Sequence, residues 1–199
     1  KIVETSDEWI RSRTGIQERR VVDKGIPTSD LASEAAREAL ANAGLTAEDI
    51  DLIVVATITQ DMPFPSTACV IQQKIGAINA ACFDLSAACS GFPYALTVAD
   101  CMIRAGQHKK ALVIGAEALS PFIDWTDRST CVLFGDGAGA CVLVSSAQKN
   151  QGLIANYLGS DGSYVDILKI PAGGSAIPPS VESVQGKLHT VKMIGGMAD

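Results

Sequence analysis

Four nearly uninterrupted aliphatic runs, separated by segments of helical spacing, restrict this chain to a narrow set of folds. Residues 52–58, 80–83, 111–114 and 140–144 read as strands covered on both faces, because a half-exposed strand would alternate with polar residues. Between them lie helix patterns. One runs from a Thr28/Ser29 cap to Gly44, with Leu31, Ala35, Ala39, Leu40 and Ala43 on one face. A second starts at a Ser66 cap and stops at Gly76. A third is rich in small residues and ends near Gly106, with Ala95, Leu96, Val98, Ala99, Met102 and Ile103 as its apolar positions. Strand and helix alternate, which predicts an α/β protein with a mostly parallel mixed sheet covered by helices. A further strand is expected at residues 153–158, and a Gly/Pro/Ser-rich loop at residues 171–179.

At 199 residues the chain can bury a substantial core, and with 47% apolar but only 5% aromatic residues that core is aliphatic. The net charge of −6 argues against nucleic acid as a partner. No apolar run approaches the length that spans a bilayer, and no signal-peptide pattern is present, so no membrane association is expected. Six cysteines form no C-x-x-C pair, and the two histidines, His108 and His189, lie far apart in sequence. Neither a metal site nor a disulfide framework is expected, and a reducing cytoplasm is the simplest setting.

Cys89 has the most loaded position. The run at residues 80–83 leads in as a strand, and the small-residue helix leads out, with Pro93 in its first turn where a missing N–H costs nothing. The free N–H groups of a helix start favour an anion by up to ~2 kcal/mol when partly buried. A thiol there becomes a better nucleophile at neutral pH. Gly91, lacking a side chain, is expected to let a substrate carbonyl approach the backbone. The competing reading, a small buried residue at a tight turn, is the ordinary fate of a cysteine.

Two other segments invite a ligand. Thr5-Ser-Asp-Glu8 reads as a capping box, with Thr5 bonding the first turn and Glu8 reaching back. The helix it starts carries Trp9, Arg11 and Arg13, with Arg19 and Arg20 beyond Gly15. A Trp with arginines one turn away suits a stacked ring plus phosphates, but a solvated amphipathic helix with a half-buried Trp is the more ordinary reading of such a face. The glycines of Phe134-Gly-Asp-Gly-Ala-Gly-Ala140 precede a strand instead of opening a helix, which is the wrong order for a phosphate cradle. A tight turn with closely packed backbones is expected there.

The stretches Thr5-Ser-Asp-Glu-Trp-Ile-Arg-Ser-Arg-Thr-Gly15, Ala87-Ala-Cys-Ser-Gly-Phe92, Thr126-Asp-Arg128 and Phe134-Gly-Asp-Gly-Ala-Gly-Ala140 together resemble β-ketoacyl-(acyl carrier protein) synthase III, the initiating condensing enzyme of bacterial fatty-acid synthesis. The resemblance implies a thiolase-like fold, of which this chain is the first half of a duplicated unit. Residues 1–170 would be the half that carries the nucleophile, and residues 171–199 a connection toward a second half. It implies that Cys89 takes an acyl group from acetyl-CoA or another short acyl-CoA and passes it to malonyl-acyl carrier protein with loss of CO2. The Cys89 backbone N–H would help hold the oxyanion. Trp9 and Arg128 would sandwich the adenine of CoA, with Arg13 nearby. Phe64 would gate the acyl pocket across a homodimer interface, and Leu119 and Phe134 would wall it. CoA enters as a substrate, so no cofactor is implied. The family also needs a His and an Asn that neither His108 nor His189 matches in context, so the chain is expected to be a piece of a longer enzyme. Rival readings are a secondary-metabolite ketosynthase, a hydroxymethylglutaryl-CoA synthase-like acyl transferase, or a noncatalytic acyl-CoA-binding protein; a pure binder has no need of a thiol at the helix start.

Overall fold

The computed structural model describes residues 2–148 and 152–194 and divides into two compact units that interleave along the chain. One contains residues 23–118 and 137–158; the other contains residues 1–22, 119–136 and 159–199.

The unit of residues 23–118 and 137–158 is built on a four-stranded sheet of order β2-β1-β3-β4, formed by β1 (Leu52–Ala56), β2 (Ala81–Leu85), β3 (Lys110–Ala118) and β4 (Asp136–Val144). The central strand β1 runs parallel to both neighbours, pairing Val54 with Phe83 on one side and with Val113 on the other. The Ser145 N–H donates to the Lys109 carbonyl, so the end of β4 lies beside the start of β3, as in an antiparallel pair.

Successive β1 side chains face opposite ways, and both faces are covered. Ile53 and Val55 pack with Leu112 and Ile114 against α2 (Thr28–Ala43) and α3 (Thr67–Ile75). Leu52, Val54 and Ala56 pack with Ala111 and Val113 against Ala95 and Ala99 of α4 (Gly91–Arg104). The five β1 residues are all buried, which explains why the sequence reads there as unbroken aliphatic. Small alanines on the helices let them lie close to the sheet.

Several local expectations shift. The buried face of α2 is Ala32, Ala36 and Leu40, about one position round from the stripe read in the sequence, and Ala43 is exposed. Thr28 lies inside that helix, not at its cap; Pro27 takes the cap position, and the Thr28 hydroxyl donates to the Thr59 carbonyl instead. Strand β2 is only half-buried because it lies at the sheet edge with β1 as its neighbour. The glycine segment is no turn: Gly137 and Gly139 belong to β4, and none of Gly135, Gly137 and Gly139 adopts a positive φ. Close packing does hold at Gly135, where an added Cβ would sit 2.8 Å from the Arg20 carbonyl oxygen. Residues 153–158 form no strand. Their polar groups bond to α4 side chains, with the Leu153 carbonyl accepting from Arg104 and Asn156 donating to the Thr97 hydroxyl.

In the other unit, α1 (Asp7–Thr14) packs Trp9 and Ile10 into a cluster with Ile123, Trp125, Cys131, Val132 and Val191. Its cap is Ser6, whose hydroxyl accepts the Trp9 N–H, not Thr5. The short α5 (Arg128–Cys131), the β5 (Leu168–Lys169) and β6 (Lys192–Met193) pair, and α6 (Val181–Gln185) complete it. Residues 171–179 are loop, as the composition predicts. Among the described residues, no helix is long and apolar enough to cross a membrane, and no group of three or more His, Cys, Asp or Glu could hold a metal ion.

Candidate active site

After β2 the chain passes through one 3₁₀ turn, Ala88–Ser90, and enters α4 at Gly91. Ala88, at the start of that turn, has a φ of 47°. A residue with a Cβ in the left-handed region costs about 1–2 kcal/mol, and such strain persists where the surroundings hold it, often at functional turns. A strained strand-to-helix turn also lifts the nucleophile of serine hydrolases clear of their sheet. Here the turn leaves Cys89 exposed, two residues before the α4 start at Gly91.

The other thiols provide the contrast. Burial pushes the Cys82 thiol up to about 12, and raises those of Cys131 and Cys141 as well. A thiol that stays protonated is a poor nucleophile. Cys101 is exposed like Cys89, but it lies near the far end of α4, away from the positive pole of the helix.

Gly91 does not serve as expected. It is buried, and a Cβ there would lie 3.0 Å from the Ala56 Cβ, so the missing side chain lets the first turn of α4 sit on the end of β1. The close approach is to the sheet, and it sets the height of the Cys89 turn.

Two carboxylates brace this end of the sheet. Asp84, on β2, accepts the Thr67 and Ala68 N–H groups at 2.7 and 2.8 Å, closing the start of α3. Glu117, on β3, accepts the Ile58 N–H at 2.9 Å and the Thr59 hydroxyl at 2.6 Å. Burial pushes the Glu117 carboxyl above its ordinary value, and those donors pull it back only in part. Sequence reading passed over both residues. A glutamate near the end of an otherwise aliphatic strand was the available signal. Phe64 lies in the same unit, on the loop between β1 and α3, and is 84% exposed.

The remaining candidates lie in the other unit. The Arg128 guanidinium carbon is 4.2 Å from the Trp9 ring centroid, and that of Arg13 is 5.7 Å away. Trp9 and Arg128, more than a hundred positions apart, are thus brought together as a cation on an aromatic ring. Arg128 is the first residue of α5, whose cap Asp127 accepts the Ser129 N–H. Just upstream, Asp124 accepts Lys187 and the Thr126 hydroxyl, which together hold its carboxyl at about 2. Leu119 and Phe134 are half-buried in the cluster that contains Trp9, and Arg19 donates to the Val132 carbonyl at 2.6 Å.

Residues 83–162 match the family profile described as 3-oxoacyl-[acyl-carrier-protein (ACP)] synthase III. The β-ketoacyl-[acyl-carrier-protein] synthase III of Caldanaerobacter subterraneus subsp. tengcongensis is 54% identical over 195 residues, covering 98% of this chain and 59% of the relative. That of Clostridioides difficile is 53% identical over the same proportions. Among solved structures, 3-oxoacyl-(acyl carrier protein) synthase III from Pseudomonas aeruginosa PAO1 superposes with a TM-score of 0.84 at 40% identity, covering 96% of this chain and 57% of that one. The chain therefore spans about three-fifths of the length of the curated relatives it matches. Its fold is the thiolase-like α/β fold, with a mixed sheet, parallel at its centre and flanked by helices.

Proposed function

The chain is a relative of β-ketoacyl-[acyl-carrier-protein] synthase III, and we propose that the protein catalyses the decarboxylative condensation that starts fatty-acid synthesis. The observation that carries this reading is the exposed Cys89 on a strained turn at the start of α4. The Cys89 thiolate attacks the thioester carbonyl of acetyl-CoA or a similar short acyl-CoA. The tetrahedral oxyanion collapses, the CoA thiolate leaves and takes up a proton, and the acyl group stays on sulfur. The Cys89 N–H contributes to holding the oxyanion. Malonyl-acyl carrier protein then loses CO2, its carbanion attacks the acyl-cysteine, and the Cys89 thiolate departs as the β-ketoacyl product forms.

Trp9, Arg13 and Arg128 are read as the nucleotide clamp for CoA. In the structure the Trp9 face is occupied by Arg128 itself; a base held between them needs about 7 Å, two stacking distances, so the guanidinium must swing away from 4.2 Å. Phe64, Leu119 and Phe134 are read as acyl-pocket residues, with Phe64 working across a homodimer interface. CoA is a substrate in this scheme and no separate cofactor is required. The two histidines are not proposed for carbanion stabilisation: His108 lies 3.5 Å from the Asp51 carboxylate, and the His189 ring bonds the Ser183 hydroxyl at 2.8 Å. Residues 1–170 are proposed as the nucleophile-bearing half, residues 171–199 as its connection onward, and the setting as cytoplasmic.

The test is product analysis of the full-length protein with acetyl-CoA and malonyl-acyl carrier protein. The reading expects acetoacetyl-acyl carrier protein and one CO2 per free CoA, abolished by Cys89→Ala. CoA binding without turnover under these conditions would instead favour a noncatalytic binder.

A further inference from the structure

Glu117 gathers the end of β1 onto β3. One carboxylate oxygen accepts the Ile58 N–H at 2.9 Å; the other accepts the Thr59 hydroxyl at 2.6 Å and the Thr57 hydroxyl at 3.4 Å. The direction of these bonds follows from the neighbours. The Thr59 hydroxyl oxygen already accepts the Ala118 N–H at 2.9 Å, and the Thr57 hydroxyl oxygen accepts the Thr59 N–H at 3.1 Å. Each hydroxyl therefore has its own proton to give, and an ionised carboxylate is a pure acceptor. Thr28 ties α2 into the same cluster, donating to the Thr59 carbonyl at 2.5 Å. Thr28 and Thr59 are almost wholly buried, so water cannot substitute for a lost partner.

Two parts of the candidate site hang on this cluster. Ala56, just before it, is the residue on which Gly91 and hence the Cys89 turn rests. Residues 60–66, just after it, form the loop that presents the exposed Phe64. The far end of that loop is also tied: the Asp61 N–H donates to the Thr67 hydroxyl at 3.2 Å, and Asp84 holds the Thr67 and Ala68 N–H groups. A loop stapled at both ends carries its exposed side chain at a defined place on the surface of this unit.

We propose that Glu117 is a positioning residue for the acyl end of the site: by fixing residues 57–59 it sets both the Ala56 seat of the Cys89 turn and the stance of the Phe64 loop that reaches across the homodimer interface, and so which acyl chain lengths are accepted. The proposal rests on the acyl-transfer reading. Glu117→Gln keeps the size of the side chain but turns one acceptor oxygen into a donor, which opposes the hydroxyl protons that now point at it. Chain-length selectivity, not overall rate, is the quantity it moves.

The experiment measures the rate of Cys89 acylation by acetyl-CoA and by butyryl-CoA in the full-length protein. In Glu117→Gln the ratio of the two rates should shift by about fivefold or more, a part of the roughly 10- to 200-fold discrimination that one methylene is worth in a well-formed pocket. Thr59→Val should shift it the same way, and Thr59→Ser, which keeps the hydroxyl, should restore the wild-type ratio. Should Glu117→Gln fail to fold, Thr57→Val, which leaves the Thr59 and Ile58 bonds to Glu117 and removes the 3.4 Å bond together with the 3.1 Å bond from the Thr59 N–H, carries the test with a shift in the same direction. A ratio left at the wild-type value, with both rates lowered equally, means that Glu117 acts through stability alone and overturns the proposal. A wild-type protein that takes no acyl group at all overturns the acyl-transfer reading, and the Glu117 proposal falls with it.

Discussion

The guanidinium carbon of Arg128 lies over the ring of Trp9, 4.2 Å from the ring centroid, although 119 positions separate the two residues. The short α5 presents one partner and α1 the other, and both belong to the same compact unit.

That stack makes Arg128 a test of ligand affinity apart from chemistry. A cation on an aromatic face is worth about 0.5–2 kcal/mol, or roughly 2- to 30-fold in binding. Arg128→Ala should raise the KM for acyl-CoA by a factor in that range and leave kcat within about twofold. Steady-state kinetics against acyl-CoA checks this. An unchanged KM removes Arg128 from the site.

Gly91 offers a steric prediction. A methyl group there meets Ala56 at 3.0 Å, with strand backbone behind it. Gly91→Ala should destabilise the fold by about 1–3 kcal/mol, as overpacking does, and slow Cys89 acylation because the turn is lifted off the sheet. Denaturant unfolding measures the first effect. Ala56→Gly in the same protein should recover much of both losses by giving the methyl its room.

Asp124 predicts a pH dependence. Its carboxyl is held at about 2 by the Thr126 hydroxyl first and Lys187 second, against an ordinary value of 3.8. Between those values the unfolded chain binds the proton and the folded chain does not, so stability rises with pH there. The contribution is complete above about pH 5 and is lost as pH falls toward 2. Because Lys187 is half exposed, the ion pair itself is worth no more than about 1 kcal/mol. Thermal unfolding from pH 6 to pH 2.5 should show a shallower acid slope in Asp124→Asn than in wild type.

Much of this fold was legible because one physical cause wrote it. Strands β1 and β3 are covered on both faces, and burial leaves an aliphatic run that nothing else produces. Ser66 and Gly76 punctuate α3 by local chemistry, and both were readable. What failed depended on distant partners. The glycines of β4 look like a turn, but their backbones are extended, and Gly135 is needed because the Arg20 carbonyl lies against it. Residues 153–158 look like a strand, but their polar groups bond to side chains of α4. In the candidate site, Cys89 stood out through its position between strand and helix. Gly91 was noticed for the wrong reason, since only coordinates reveal Ala56 beneath it. Glu117 escaped notice because its partners, Thr57, Ile58 and Thr59, sit some sixty residues away in sequence.

The central claim is that the turn after β2 makes one sulfur out of six the acyl acceptor. Incubating the full-length protein with acetyl-CoA and no malonyl donor, followed by intact and peptide mass analysis, tests it most directly. The expected result is one acetyl group per chain, on Cys89, with Cys101, also exposed, unlabelled and Cys82, Cys131 and Cys141 protected by their raised thiols. An unlabelled protein, or acetyl on Cys101 in place of Cys89, contradicts the account.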